Sequence, residues 1–179
     1  MGASWGGLHA LETVLSGLPA SFRTPIVIAQ HRSADSGSSA LARMLSVRSG
    51  LVVADADDKE PIEEGRVYLA PPDYHLLVEM GAFALSTEEM VQHSRPSIDV
   101  LFDTAADAYS DQLAAVVLTG ANADGAYGIE RVKRRGGVTI VQDPSTAEKR
   151  AMPDAAIATG AADYVLPLEA IASKLAELA

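Results

Sequence analysis

Leu113-Ala-Ala-Val-Val-Leu-Thr119 is a short, unbroken apolar run. Two more such runs are Pro25-Ile-Val-Ile-Ala-Gln30 and Val138-Thr-Ile-Val-Gln142. Apolar residues at consecutive positions mean a strand buried on both faces, the pattern of a parallel sheet covered by helices. Leu51 to Ala54 is a weaker strand of the same kind. Between the runs the period changes to that of a helix. Ile98, Leu101, Phe102, Ala105, Ala106 and Tyr109 form one apolar stripe. Shorter helices are predicted over Leu8 to Leu15, Ser38 to Val47, Ala126 to Arg135, Pro153 to Thr159 and Leu168 to Leu178. The middle of the chain reads differently. Arg66 to Ala70 and Tyr74 to Met80 flank Pro71-Pro72, and Ala82 to Ser86 follows Gly81. These links are too short for crossover helices, so an antiparallel strand and hairpin are expected there. The pattern predicts an α/β fold: a three-layer, doubly wound, mostly parallel sheet with a small antiparallel hairpin. The chain opens Met-Gly-Ala-Ser, which leaves no room for a strand before Ser4. The first strand is therefore expected to be missing, either cut away or absent from the sheet.

Composition limits the function classes. The 179 residues, at about 150 per domain, read as a single domain spanning 1–179. Apolar residues make up 48%, enough for a sizeable core. A net charge of -10 argues against a phosphate-backbone surface and against anionic membranes. Cysteine is absent, which rules out disulfides, thiol catalysis and zinc-thiolate sites. No run approaches the ~18 apolar residues of a membrane span, and no signal peptide is visible. A cytoplasmic location follows as the expectation. The four histidines lack ligand spacing. Asp55-Ala-Asp-Asp58 resembles the start of a calcium loop, but Glu60 stands where glycine is required. No metal and no cofactor are expected.

Gly2-Ala-Ser-Trp-Gly-Gly7 contains G-x-S-x-G, in which small neighbours let a serine sit on a tight strand-to-helix turn. A helix starting after it would point free N–H groups at a developing oxyanion. A plain glycine-rich turn and a phosphate cradle are the competing readings. A serine nucleophile needs a base. His31 follows the 25–30 run directly, at a strand's carboxyl end, where α/β sheets place their ligands. His9 and His93 read as surface residues, and His75 as a core, rim or secondary pocket residue. The base needs a carboxylate to orient it. Asp124 lies just past the 113–119 run, in Thr119-Gly-Ala-Asn-Ala-Asp-Gly125. Asp143 is the runner-up, favoured as an Asp-Pro turn residue. Asp99 fits the first turn of its helix, where a carboxylate suits the dipole.

These residues carry a resemblance. Gly-Ala-Ser-Trp-Gly-Gly at 2–7, Gln-His at 30–31, Leu-Ala-Pro-Pro-Asp-Tyr-His at 69–75, Arg-Pro-Ser-Ile-Asp-Val-Leu-Phe at 95–102, Leu-Thr-Gly-x-x-x-Asp-Gly at 118–125 and Gln-Asp with a later Met-Pro at 152–153 keep their order. The set resembles the catalytic domain of chemotaxis protein-glutamate methylesterases, the CheB family. The resemblance implies Ser4 as nucleophile, His31 as base and Asp124 as its orienter, with Trp5, His75 and Ala121 as oxyanion or pocket residues. It implies hydrolysis of glutamate γ-methyl esters on methyl-accepting chemoreceptor helices, and deamidation of particular glutamines there. The order Ser, His, Asp separates the chain from α/β-hydrolases, which run Ser, Asp, His. The chain departs from the family in three places. It has no receiver domain, which leaves regulation to a separate phosphorelay protein. Trp5 stands where a small residue or Thr is usual, and Ala121-Asn122 where Met-Gly is usual. Trp5 is expected to fill the space that Ala121 vacates. The rival expectation is a non-catalytic receptor-binding or scaffolding module that kept the fold.

Overall fold

The computed structural model describes residues 1–33 and 38–179. Seven parallel strands form one sheet: β1 (Gly2–Ala3), β2 (Ile26–Gln30), β3 (Val52–Asp55), β4 (Arg66–Leu69), β7 (Ala114–Val117), β8 (Val138–Gln142) and β9 (Tyr164–Leu166). The order across it is β3-β4-β2-β1-β7-β8-β9. β5 (His75–Glu79) and β6 (Ala82–Ser86) make a separate antiparallel hairpin. Among the described residues there are six α-helices, α1 (Gly7–Ser16), α2 (Ser38–Ser49), α3 (Ile98–Tyr109), α4 (Ala126–Arg134), α5 (Ala151–Ala158) and α6 (Leu168–Leu178), and a 3-10 turn at Ser110–Gln112.

The period of two explains the three layers. Ile26, Ile28, Val116, Leu118 and Ile140 point to one face, where α1, α2 and α6 bury Leu11, Val14, Leu45 and Ile171 against them. Ala29, Ala115, Val117 and Val141 point to the other face. There α3, α4 and α5 supply Ile98, Phe102, Ile129 and Met152, and the hairpin adds Leu76 and Phe83. A strand serving both cores is apolar wherever no hydrogen-bond partner is at hand, which is why the deciding runs do not alternate; buried Thr139 and Gln142 of β8 are hydrogen-bonded to Ala161 O and Thr119 N–H.

The structure corrects the sequence reading at three strands. β1 exists before Ser4, two residues long and central: Gly2 pairs with Ala29 on one side and Val117 on the other. Glycine is required at that position because a Cβ there would stand 2.3 Å from Ile98 Cγ2. β4 is a parallel member of the main sheet rather than an antiparallel partner of the hairpin. The β3–β4 link makes its crossover without a helix. It is held by the hairpin instead: Ile62 N–H donates to Gly81 O and Phe83 N–H to Glu60 O. β9 had not been anticipated.

β1 sits where the sheet reverses its winding order, so the loops after β2, β1 and β7 open side by side. That switch point is where open α/β sheets bind ligands.

Candidate active site

Ser4 follows β1, His31 follows β2 and Asp124 follows β7, so three adjacent parallel strands deliver all three residues to one edge. The backbone ties them together. Ser4 N–H donates to Thr119 O at 2.9 Å and His31 N–H to Ala3 O at 3.0 Å. Gly6, at φ 79°, turns the chain from β1 into α1, a conformation that favours glycine. α1 starts without a side-chain cap and without an acidic residue in its first turn. Among the described residues no backbone group accepts from the N–H groups of Trp5 or Gly6. The elbow therefore presents open donors beside Ser4, at the positive end of a helix.

His31 Nε2 and Asp124 Oδ2 are 2.7 Å apart. Asp124 is fully buried, and its two oxygens collect four donors. Oδ1 accepts from Ser97 Oγ (2.9 Å) and Asp99 N–H (2.9 Å); Oδ2 accepts from Ile98 N–H (2.8 Å) and from His31. Three of the four donors come from the start of α3, so the carboxylate occupies that helix's N-terminal anion site. Burial pushes the Asp124 carboxyl upward, but the hydrogen bonds from His31, Ile98 and Asp99 outweigh it and hold it below the usual carboxylate range. A carboxylate on Nε2 fixes the neutral imidazole with its proton there, leaving the Nδ1 lone pair as acceptor. Nδ1 lies 3.5 Å from Ser94 Oγ. Among the described residues Ser4 and His31 share no hydrogen bond, though both line one groove with Gln30, Leu41, Met44 and Glu148. The Gln30 amide donates to Ser4 O and His31 O, both at 2.9 Å, and so sets the spacing of the two loops.

The other sequence candidates fall as follows. His75 is only 2% exposed and lies under Ser97: its Nδ1 accepts from Ser97 N–H and its Nε2 donates to Glu89 O. It supports the start of α3 and does not line the groove. His9 and His93 are exposed. Asp143 accepts from Ser145 N–H at 2.8 Å, the turn role favoured for it. Trp5 is 61% exposed. Its Nε1–H donates to Glu148 Oε1 at 2.7 Å, and the Lys149 ammonium stands 5.6 Å from its ring centre. Ala121 is exposed and absent from the groove wall around Ser4. Trp5 thus takes its partners from the 143–150 loop. A double-mutant cycle on Trp5→Phe and Glu148→Ala is expected to show coupling in kcat/KM, because both changes remove the same hydrogen bond. The pair Trp5→Thr and Ala121→Met is expected to add within about 0.5 kcal/mol. The reverse pattern would restore a shared Trp5–Ala121 wall.

Four polar supports escaped the sequence reading. Ser97 caps α3, accepting from Val100 N–H, and is completely buried, donating its Oγ–H to Asp124 Oδ1 while His31 uses Oδ2. Asp99 binds the start of α4. Thr119 Oγ1 donates to Trp5 O and accepts from Lys149 N–H. Gln142 Oε1 accepts from Thr119 N–H, tying β8 to the elbow. Ser97 had one available signal, a serine immediately before an amphipathic run.

A parallel α/β sheet whose switch point gathers serine, histidine and a buried aspartate, with open N–H groups at a helix start, holds the parts of an acyl-transfer hydrolase. The CheB methylesterase family model matches residues 1–175, and the chain belongs to that family. A Leptospira interrogans protein assigned as protein-glutamate methylesterase/protein-glutamine glutaminase is 49% identical over 173 residues, covering 96% of this chain and 89% of that protein. A protein-glutamate methylesterase/protein-glutamine glutaminase of Anaeromyxobacter dehalogenans is 42% identical over 178 residues; the match spans 99% of this chain and 52% of that protein. The crystal structure of the Thermotoga maritima CheB methylesterase catalytic domain superposes with a TM-score of 0.94 at 38% identity, covering 99% of this chain and 96% of that one. The enzyme class is protein-glutamate methylesterase/protein-glutamine glutaminase, a chemotaxis hydrolase.

Proposed function

We propose that this chain, as one catalytic domain over residues 1–179, removes methyl groups from glutamate γ-methyl esters on chemoreceptor helices, with Ser4 as nucleophile. His31 Nδ1 takes the Ser4 proton as Oγ attacks the ester carbonyl. The oxyanion forms against the N–H groups of Trp5 and Gly6. Protonated His31 then gives its proton to the departing methoxide, which leaves as methanol. Water, deprotonated by the same nitrogen, resolves the acyl-enzyme to free glutamate and regenerates Ser4. A glutamine side chain follows the same route with ammonia as the leaving group. Asp124 keeps its charge throughout and stabilises the imidazolium.

The observation that carries this reading is the 2.7 Å contact between His31 and a fully buried Asp124 at the strand ends that also hold Ser4. The ring faces its carboxylate through Nε2. In the serine-protease template the carboxylate sits on Nδ1 and Nε2 serves the nucleophile; here the two nitrogens exchange tasks. No helix among the described residues is long and apolar enough to cross a membrane, which suits a domain meeting the cytoplasmic helices of a receptor.

The test is methanol release from a methylated receptor cytoplasmic fragment, with and without prior treatment by a fluorophosphonate. Release that the probe abolishes, with one probe per chain, is expected. A chain that binds the receptor fragment but neither releases methanol nor takes the probe would be the scaffolding module.

A further inference from the structure

Two aspartates are crossed over two helix starts. Asp124 stands just before α4, yet its carboxylate accepts the N–H groups of Ile98 and Asp99 at the start of α3. Asp99 stands in the first turn of α3, yet its Oδ1 accepts the N–H groups of Gly125 and Gly128 at the start of α4, both at 2.8 Å. Gly125 is the residue next to Asp124. Each helix is therefore held at its N-terminus by the other's carboxylate, and the two loops cannot slide without breaking charge-assisted hydrogen bonds. Gly128 permits this closeness, since a Cβ there would stand 2.6 Å from Phe102 Cβ. The second oxygen of Asp99 accepts from Gln92 Nε2 at 3.1 Å.

We propose that Asp99 is a positioning residue for hydrolysis: its carboxylate clamps α4 to α3 and so aims Asp124 at His31 Nε2. It touches neither substrate nor the reacting atoms and acts through Asp124. The proposal rests on His31 and Asp124 working as the pair described above. A misplacement of about 1 Å in such a pair is enough to cost ~10²-fold in rate.

The surroundings assign this role to the oxygen's position rather than to its charge. Asp124 is the charged group acting on Asp99, with His31 beyond it. His75 from β5 lies behind Ser97, His93 is in the Gln92 loop, and Asp103 one turn along α3 faces Arg131 of α4. Burial pushes the Asp99 carboxyl above its ordinary range, and the nearby Asp124 charge adds to this, against the opposing N–H groups of Gly128 and Gly125. An oxygen acceptor at that point is what the clamp needs.

Three variants and two readouts test the proposal: steady-state methanol release, and the proton NMR signal of the His31 Nε2–H bound to Asp124. Asp99→Asn keeps an oxygen for Gly125 and Gly128, so it should hold kcat within about threefold of the parent and retain the resonance. Asp99→Ala should lower kcat 10- to 100-fold with KM unchanged, and lose or broaden the resonance. Asp99→Glu keeps the charge but moves the oxygens, and should lower kcat at least tenfold; it decides the matter alone if the alanine variant does not fold. Parent-like kcat in the glutamate variant, or an alanine variant that loses only thermal stability, would overturn the clamp. An asparagine variant as slow as the alanine one would do so too. If the parent itself released no methanol, the hydrolase reading would fail. The clamp would still be judged by the resonance, whose persistence in Asp99→Ala would overturn it.

Discussion

Ser4→Ala releases no measurable methanol from a methylated receptor fragment and takes no fluorophosphonate, while its thermal unfolding stays that of the parent. Both halves of this expectation come from the same place in the structure. The groups that hold residue 4 are backbone groups: its N–H donates to Thr119 O, and its carbonyl accepts from Gly7 N–H and from the Gln30 amide. None of these changes with the side chain, so stability should stay within about 0.5 kcal/mol. The other hydroxyl near the base, Ser94 Oγ at 3.5 Å from His31 Nδ1, lines a separate hollow with His93 and Arg95 rather than the groove of Ser4 and Gly6. Ser97, which donates its hydroxyl to Asp124 Oδ1, is completely buried and closed to substrate. What remains in the alanine variant is the oxyanion site and the base. In serine proteases such a remainder is worth 10³–10⁴ over water but lies far below the intact enzyme. An alanine variant that released methanol at the parent rate would remove Ser4 from the mechanism.

The sheet was legible wherever a strand had to serve two cores. Ile26 to Gln30 and Val138 to Gln142 pack against a core on each side, and that leaves runs that are apolar but for Thr139, whose hydroxyl donates to Ala161 O, and the two closing glutamines. Where that pressure is absent, the signal is absent too. β9 is three residues at the sheet's edge, with Tyr164 and Val165 exposed. β1 is two residues of Gly-Ala, identifiable only from what packs on it. β4 was misassigned because direction is not written in a strand's own residues. The proline pair at 71–72 suggested a hairpin turn, while the contacts that place Arg66–Leu69 parallel to β2 and β3 are long-range.

The site divides in the same manner. The placement of Ser4, His31 and Asp124 at one sheet edge was legible because each is a chemically distinctive residue at a strand's carboxyl end. Their supports were not, because the supporting groups are ordinary residues acting at a distance. Asp99 looked like a helix's own dipole partner; in the structure its carboxylate serves the N-terminus of α4, 26 residues further along for Gly125. His75 looked like pocket material and proved to be a prop beneath Ser97. Trp5 was assigned to a gap at Ala121, but its polar Nε1–H needs an acceptor, and Glu148 supplies one.

Asp124→Asn is expected to lower kcat/KM by about 10⁴, the loss seen when the same exchange disturbs a serine protease triad. The reason is visible in the donor count. Two oxygens accept from Ser97 Oγ–H, Asp99 N–H, Ile98 N–H and His31 Nε2–H. An amide has one oxygen, so its NH₂ must face donors wherever it points. If the NH₂ turns toward His31, the ring accepts through Nε2 and keeps its proton on Nδ1, where it cannot act as base toward Ser4. If it turns toward Ser97 and Asp99, two donors at the start of α3 lose their acceptor, and the helix that fixes the residue is loosened. The same exchange should cost about 2 kcal/mol of stability at neutral pH, the scale of hydrogen bonds to a charged group. That cost has a definite pH dependence. Folding depresses the Asp124 carboxyl below its unfolded value of about 3.9. Its contribution is therefore fully present above that value and is lost as pH falls through the lower, folded one. Urea unfolding of parent and variant should differ most near neutrality and converge in strong acid. A variant that is as stable as the parent at neutral pH and within tenfold of its rate would mean that Asp124 neither holds α3 nor orients His31.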